Sequence, residues 1–323
     1  MPTISVIIPA HNVAPHIGET LASVLDQSAR DLQIIVVDDG STDATTLVID
    51  QFADRFARRN TPLTIVHRRQ GGAGAARNDA LDRATGEFLC FVDADDRLHR
   101  DALALLADRL HKDRALDLIF PFCRHIDPAG EPLGIDSGKQ RLLYSAHDLM
   151  VDNPIHTGTG VMLRRKRAEA AGRFDTGLPA CIDLDYWIRA TEHRPNNIAA
   201  LPTVLVDYRF RPGQITSDWR RMRLGWEMMV QRAASRGLAL DKPTYTSALA
   251  RNALVWSTVA YKHGDLKAAR KLALEMWTRD LPFAVTDAHA RIRTAACLTS
   301  LLPTEAHDWI RNRFKRTQGL ANV

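Results

Sequence analysis

Twice in its first hundred residues this chain runs a stretch of apolar residues, β-branched or aromatic for the most part, straight into a group of aspartates. Ile34-Ile35-Val36-Val37 leads to Asp38-Asp39-Gly40-Ser41-Thr42-Asp43, and Phe88-Leu89-Cys90-Phe91-Val92 leads to Asp93-Ala94-Asp95-Asp96. Short continuous apolar runs suit strands buried on both faces, the kind found in parallel sheets covered by helices. Acids at the carboxyl ends of such strands stand where open α/β sheets bind their ligands. In the first group, capping of the following helix by Ser41, Thr42 or Asp43 accounts for one polar residue. It leaves Asp38 and Asp39 repelling each other unless they point apart or something is bound. In the second group, the D-x-D spacing suits a divalent metal that keeps some waters and bridges diphosphate oxygens. The alternative is a solvated acidic turn.

The surrounding pattern agrees with a Rossmann-like, mostly parallel sheet with helices on both faces. Strands are predicted at residues 4–8, 33–37, 63–66 and 88–92. Between them Ile17, Leu21, Val24 and Leu25, then Leu47, Phe52 and Phe56, recur at helical spacing, and an alanine-rich helix covers about 74–84. From 119 to 144 the pattern breaks into turn clusters. A helix follows at 145–151, a strand or buried turn at 157–163, a short helix at 183–191 and a strand at 204–210. Beyond about residue 218 the chain reads as helices, 247–262 and 266–279 among them, joined by His263-Gly264-Asp265. A length of 323 residues is consistent with two domains, divided near residue 218.

Two further motifs carry chemistry. Gly71-Gly72-Ala73-Gly74-Ala75-Ala76-Arg77-Asn78 approaches a dinucleotide fingerprint, but Arg77 occupies the third glycine position and the motif does not follow the first strand. That argues against a nicotinamide enzyme. The glycines read as a turn delivering Arg77 to an anionic ligand, or as a glycine-rich loop with a surface arginine. In Cys181-Ile182-Asp183-Leu184-Asp185-Tyr186-Trp187, Asp183 opens a helix, either as its N-cap or as a general base for an attacking hydroxyl. Trp187, one turn on, reads as core or as a sugar-stacking face.

Composition removes several classes. The four cysteines, Cys90, Cys123, Cys181 and Cys297, show no zinc-type spacing and suit a reducing cytoplasm. A strand starting at Thr3 and the lack of an apolar run near about 20 residues lead to the expectation of neither a signal peptide nor a membrane span. A net charge of +5 is compatible with phosphate-rich ligands or an anionic membrane without establishing either, and nucleic acid is not an expected partner. Arg291, Arg293, Arg311, Arg313, Lys315 and Arg316 alternate with Leu298, Leu301, Leu302, Trp309, Ile310 and Phe314. That mixture suits either peripheral contact with an anionic membrane or a helix packed on the rest of the protein.

Taken in order, segments 5–12, 32–43, 71–78, 88–96 and 180–189 resemble the motifs of family 2 inverting glycosyltransferases of the GT-A fold, a likeness covering about residues 3–211. The resemblance implies that Pro9, His11 and Asn12 shape a nucleoside pocket and that Asp39 hydrogen-bonds the uracil edge. It places Arg77 against the nucleotide and Asp93 at the ribose or the metal shell. Asp95 would coordinate Mn²⁺ or Mg²⁺ on the diphosphate, and Asp183 would be the catalytic base. The expected substrates are a nucleoside-diphosphate sugar, UDP-linked first, and a glycan or lipid-linked acceptor. Three positions depart from the family pattern. His11 stands where Tyr is frequent, Ile182-Asp183 replaces an acidic pair, and Arg211 stands where His is common and is assigned to the diphosphate. Residues 1–218 would then be the catalytic domain and 219–323 a helical domain for acceptor, partner or membrane contacts. A nucleotidyltransferase and a non-catalytic nucleotide-sugar-binding protein are the competing readings.

Overall fold

The computed structural model describes residues 3–137, 141–211 and 214–299, which divide into two compact units. The first comprises residues 3–149, 154–177 and 182–210; the second comprises 150–153, 178–181 and the chain from Arg211 onward. The division falls after Phe210, a few residues before the helix Trp219–Ser235, at whose start Asp218 accepts the N–H groups of Arg220 and Arg221.

The first unit is a mixed α/β structure built on one sheet. Strands β1 (Ile4–Ala10), β2 (Leu32–Asp38), β3 (Leu63–His67) and β4 (Phe88–Phe91) run parallel in the order β3-β2-β1-β4. Val6, Ile7, Ile8, Ile34 and Val36 are fully buried on this half, so truncating any one to Ala should cost about 2–5 kcal/mol. Helices α1 (Ala14–Leu25), α2 (Thr45–Arg58) and α3 (Ala73–Leu81) connect its strands. Helix α3 ends sooner than the alanine run suggests, with its chain turning at Asp82.

The other half holds β5 (Arg97–Leu98), helix α4 (Ala102–Lys112), β6 (Leu118–Ile126), β7 (Pro132–Asp136), β8 (Leu143–Tyr144), helices α5 (Ala146–Val151) and α6 (Arg165–Ala171), β9 (Met162–Arg164), helix α7 (Ile182–Thr191) and β10 (Ile198–Arg209). Strand β9 runs antiparallel to both β4 and β6 and so joins the two halves, while β6 and β10 are parallel. Strand β6 corrects the expectation of turns from 119 onward. Pro121 argues against a central strand, since it cannot donate to a ladder. Here it pairs with Leu201 where β10 begins a register shift, and beyond the reach of β9, so the missing N–H is tolerated. Strand β10 likewise begins six residues before the expected 204; Pro202 lies at that irregularity.

The second unit contains α8 (Trp219–Ser235), α9 (Lys242–Lys262), α10 (Leu266–Arg279), α11 (Leu281–Thr286) and α12 (Ala288–Thr299). Helix α9 starts earlier than predicted because Asp241 accepts the Thr244 N–H and Pro243 occupies the first turn. A Cβ on Gly225 would lie 2.6 Å from the Ala180 carbonyl oxygen, so α8 packs here only as glycine. Trp226 Nε1 donates to the Met150 carbonyl at 3.0 Å. No helix among the described residues is long and apolar enough to cross a membrane. Most of the basic and apolar stretch from 291 to 316 lies outside the described residues.

Candidate active site

Parallel pairing brings three strand ends to one edge. Ala10 is the register partner of Asp38 and Ile7 that of Phe91, so His11, Asp39 and the Asp93–Asp96 turn emerge side by side.

At the first of these ends, the buried Asp38 is a structural residue. Its carboxylate accepts from the Ser41 N–H at 3.0 Å and the Thr46 hydroxyl at 2.6 Å, and His67 Nδ1 lies 3.4 Å away. Burial pushes its pKa up, but those bonds outweigh it and the net displacement is downward. Asp39 points the other way, which resolves the repulsion between the two acids. It accepts from the Gly71 N–H at 2.9 Å, the Gly72 N–H at 2.6 Å and the Arg68 guanidinium, while Arg68 also bonds Asp79 at 2.7 Å. The glycine turn is therefore fastened to the end of β2.

His11 and Asn12 line the same edge. His11 Nδ1 is 3.0 Å from the Asp39 carbonyl and Nε2 is 3.0 Å from Gln70 Nε2. A carbonyl only accepts and an amide nitrogen only donates, so the neutral ring carries its proton on Nδ1. Asn12, at φ 48°, accepts the Thr42 N–H at 2.8 Å. Pro9 is the partner of Val37 within β1.

The acidic turn is held from below. Asp96, fully buried, accepts from the hydroxyls of Thr159 at 2.5 Å and Thr157 at 3.1 Å and from the Arg209 N–H at 2.9 Å. The Arg209 side chain, 0% exposed, donates from Nε to the Asp95 carbonyl at 2.8 Å, from Nη1 to the Pro128 carbonyl at 2.9 Å and from Nη2 to Glu19 at 2.8 Å. Burial, then the charges of Asp95 and Asp93, push the Asp96 carboxyl well up. Asp93 is raised too: burial, Asp95 and Asp183 outweigh the nearby Arg77.

Three of the expected residues meet at a gap left by a fourth that sequence reasoning passed over. Around Gly158, an added Cβ would lie 3.7 Å from Asp93 Oδ2, 3.8 Å from Arg77 Nη2 and 3.8 Å from Asp183 Oδ2. Arg77, 7% exposed, donates from Nη2 to Asp93 at 2.6 Å and lies over the Phe174 ring, and its buried Nε has no hydrogen-bond partner. Asn78 fixes that ring by bonding both the N–H and the carbonyl of Phe174, at 2.7 and 3.0 Å. Asp183 lies in the first turn of α7 and accepts the Leu184 N–H at 2.8 Å. Trp187 is core, packed on Phe91 at 4.9 Å. Arg211 follows the first unit into the second, where its N–H faces Gln214 Oε1 at 3.4 Å.

Sequence reasoning missed Arg68, Thr157, Gly158, Thr159 and Arg209. The only trace of the middle three was the run of small residues Thr157-Gly158-Thr159-Gly160.

A divalent metal fits this arrangement in a particular way. Among the described residues no set of three His, Cys, Asp or Glu side chains converges as a complete metal site. Asp96 is spent on internal donors, so Asp93, already paired with Arg77, and Asp95 are the carboxylates that would face a cation. One or two carboxylates, with waters and substrate phosphates, is how Mg²⁺ and its analogues are usually held. The acid crowding that raises Asp93 and Asp96 is what a cation there would relieve.

The sequence model of glycosyl transferase family 2 matches residues 5–170. Chondroitin synthase of Escherichia coli is 27% identical over 195 residues, 60% of this chain and 27% of its own length. The amylovoran biosynthesis glycosyltransferase AmsB of Erwinia amylovora is 40% identical over 99 residues, 31% of this chain and 33% of its own. The match thus spans well under half of each relative. Among solved structures, the mannosyltransferase PcManGT of Pyrobaculum calidifontis, in complex with GDP-Man and Mn²⁺, aligns with a TM-score of 0.60 at 22% identity, covering 98% of this chain and 88% of that one. Residues 1–349 of S. aureus TarS with UDP-GlcNAc align at 0.56 and 18% identity, covering 92% and 90%. These likenesses establish a shared fold of the GT-A type.

Proposed function

Because this chain belongs to glycosyl transferase family 2, we propose that it transfers a sugar from a nucleoside-diphosphate donor, UDP-linked in the first instance, to a hydroxyl of a glycan or lipid-linked acceptor with inversion. The observation that carries this reading is the meeting of Asp93, Arg77 and Asp183 around the missing side chain of Gly158. An anion binder and two carboxylates then lie around one point, which suits a diphosphate on one side and an attacking hydroxyl on the other.

The residues divide the work. Pro9, His11, Asn12 and Asp39 form the wall of the nucleoside pocket, with Asp39 reaching the base edge by exchanging one of its bonds to Arg68 or the glycine turn. Arg77 offers its guanidinium Nη atoms to the diphosphate. Asp95 and Asp93 would hold Mn²⁺ or Mg²⁺, which when bound neutralises the departing diphosphate. Asp183 takes the proton from the acceptor hydroxyl as its oxygen attacks the anomeric carbon, and the diphosphate leaves from the opposite face. Arg211 is assigned to the diphosphate, and the helical unit to acceptor, partner or membrane-surface contacts in polysaccharide or surface-glycan synthesis. The names of the relatives and the nucleotides held by the structural neighbours support this class of reaction.

The test is thermal stability with UDP, GDP, dTDP and NAD, each with and without Mn²⁺, for the wild type and Asp95→Ala. A nucleoside-diphosphate shift that requires Mn²⁺ and fades in the variant is expected. Equal shifts for NAD, or none across the panel, would overturn the donor site.

A further inference from the structure

Beside the charged groups, the ends of β6 and β10 carry a cluster of rings for which the donor site has no use. His125 and Tyr208 are register partners with ring centroids 5.5 Å apart. Phe210 lies 5.1 Å from His125 and 5.3 Å from Tyr208, and His156 lies 6.0 Å from His125. His125 forms the buried floor, whereas His156 is exposed and Phe210 keeps 39% of its surface in solvent.

The backbone links this patch to the cradle around Gly158. His156 precedes Gly158 by two residues, a reach of at most about 7 Å. The residue between them, Thr157, donates to Asp96, and Arg209, between Tyr208 and Phe210, gives its N–H to the same carboxylate. Gly160, at φ 79°, presses the segment onto the sheet, since a Cβ there would lie 2.8 Å from Pro121 and 2.9 Å from Val206. Both halves of the patch are therefore tied to the acidic turn.

We propose that these rings are the acceptor platform, receiving the pyranose ring of the glycan whose hydroxyl is presented to Asp183. The inference rests on the glycosyl-transfer reading above. A pyranose carries a face of C–H bonds edged by hydroxyls, so it meets an aromatic surface with its apolar face and neighbouring polar groups with its rim. Two exposed rings, His156 and Phe210, resting on His125 and Tyr208 and tied to the acidic turn suit such a ligand better than an acyl chain.

The experiment measures transfer by the full chain from UDP-GlcNAc and GDP-mannose to an array of oligosaccharides that includes chondroitin and hyaluronan hexasaccharides. On the glycans that the wild type extends, Phe210→Ala and His156→Ala should each raise the acceptor KM about tenfold, with the donor KM moving by less than about twofold. Phe210→Trp should restore the acceptor KM. Variants that leave the acceptor KM unchanged, or that raise both KM values in step, overturn the platform while the transfer reading stands. A wild type that turns over no donor and extends no glycan removes the transfer reading, and the platform with it.

Discussion

Asp207 on β10 and the acids of the turn after β4 are balanced in opposite ways. Asp207, on β10, accepts from His99 Nε2 at 3.1 Å, from Arg124 at 2.6 and 3.0 Å and from Arg97 at 3.0 Å. Burial would raise its pKa, but the bonds from His99 and Arg124 prevail and hold the carboxyl down at about 2. On the acidic turn, burial raises Asp93 and Asp96, and neighbouring acids add to that rise rather than offset it. A buried carboxylate surrounded by cations is a brace. Crowded carboxylates whose nearby cation, Arg77, does not offset the rise are, on the proposed reading, a site that a cation from solution would complete.

The contrast yields predictions in falling order of effect. Asp183→Asn should lower transfer by about 10²–10⁴-fold while leaving the melting temperature near that of the wild type. Steady-state kinetics beside a thermal scan decides it, and a folded variant with full activity removes the base role.

Asp95→Asn should cost several kcal/mol of transition-state stabilisation yet leave the ligand-free protein at least as stable as the wild type, because it removes one charge from a crowded group. With UDP and Mn²⁺ at about a hundred times the dissociation constant, the wild type should gain about 2.7 kcal/mol and the variant much less. A ligand-free variant that melts well below the wild type would put Asp95 among the braces.

Asp207→Asn should do the reverse, costing about 1–2 kcal/mol of stability at pH 7 with little change in donor KM. The folded pKa lies below the ordinary 3.8. The contribution is therefore complete above about pH 4 and disappears as pH falls through about 2. Denaturant melts of the two proteins should accordingly converge toward pH 2, and a gap that stays constant over that range would exclude the charge as its source.

The parts visible in the sequence and the parts hidden from it differ for the same reason. Strands β1 to β4 are local apolar runs ending in turn residues, so periodicity and the aspartate groups locate them. Asp93, Arg77 and Asp183 come from three separate segments; the residues alone leave each with a functional and a structural reading, and a motif order resembling a known family selects the functional one. Their meeting point, Gly158, has no side chain to announce it. Strand β6 was hidden by Pro121, whose tolerance depends on a register shift some eighty residues away in β10. Arg209 reads as one basic residue in a strand, since nothing local signals that its guanidinium ends up against the backbone carbonyls of Asp95 and Pro128. Asp39 was visible as a polar strand end, but its bonds to Arg68 and the glycine turn were not.

Arg209 also bears on how fast a ligand can be received. By pinning the Asp95 carbonyl with its side chain and Asp96 with its own N–H, it makes the acidic turn rigid during folding rather than at the moment of encounter. The repelling carboxylates cannot swing apart to relieve themselves, and the ordering entropy has already been spent. On the proposed reading, a cation and a diphosphate would meet a surface already ordered, and relief of the crowding among the acids would favour their retention.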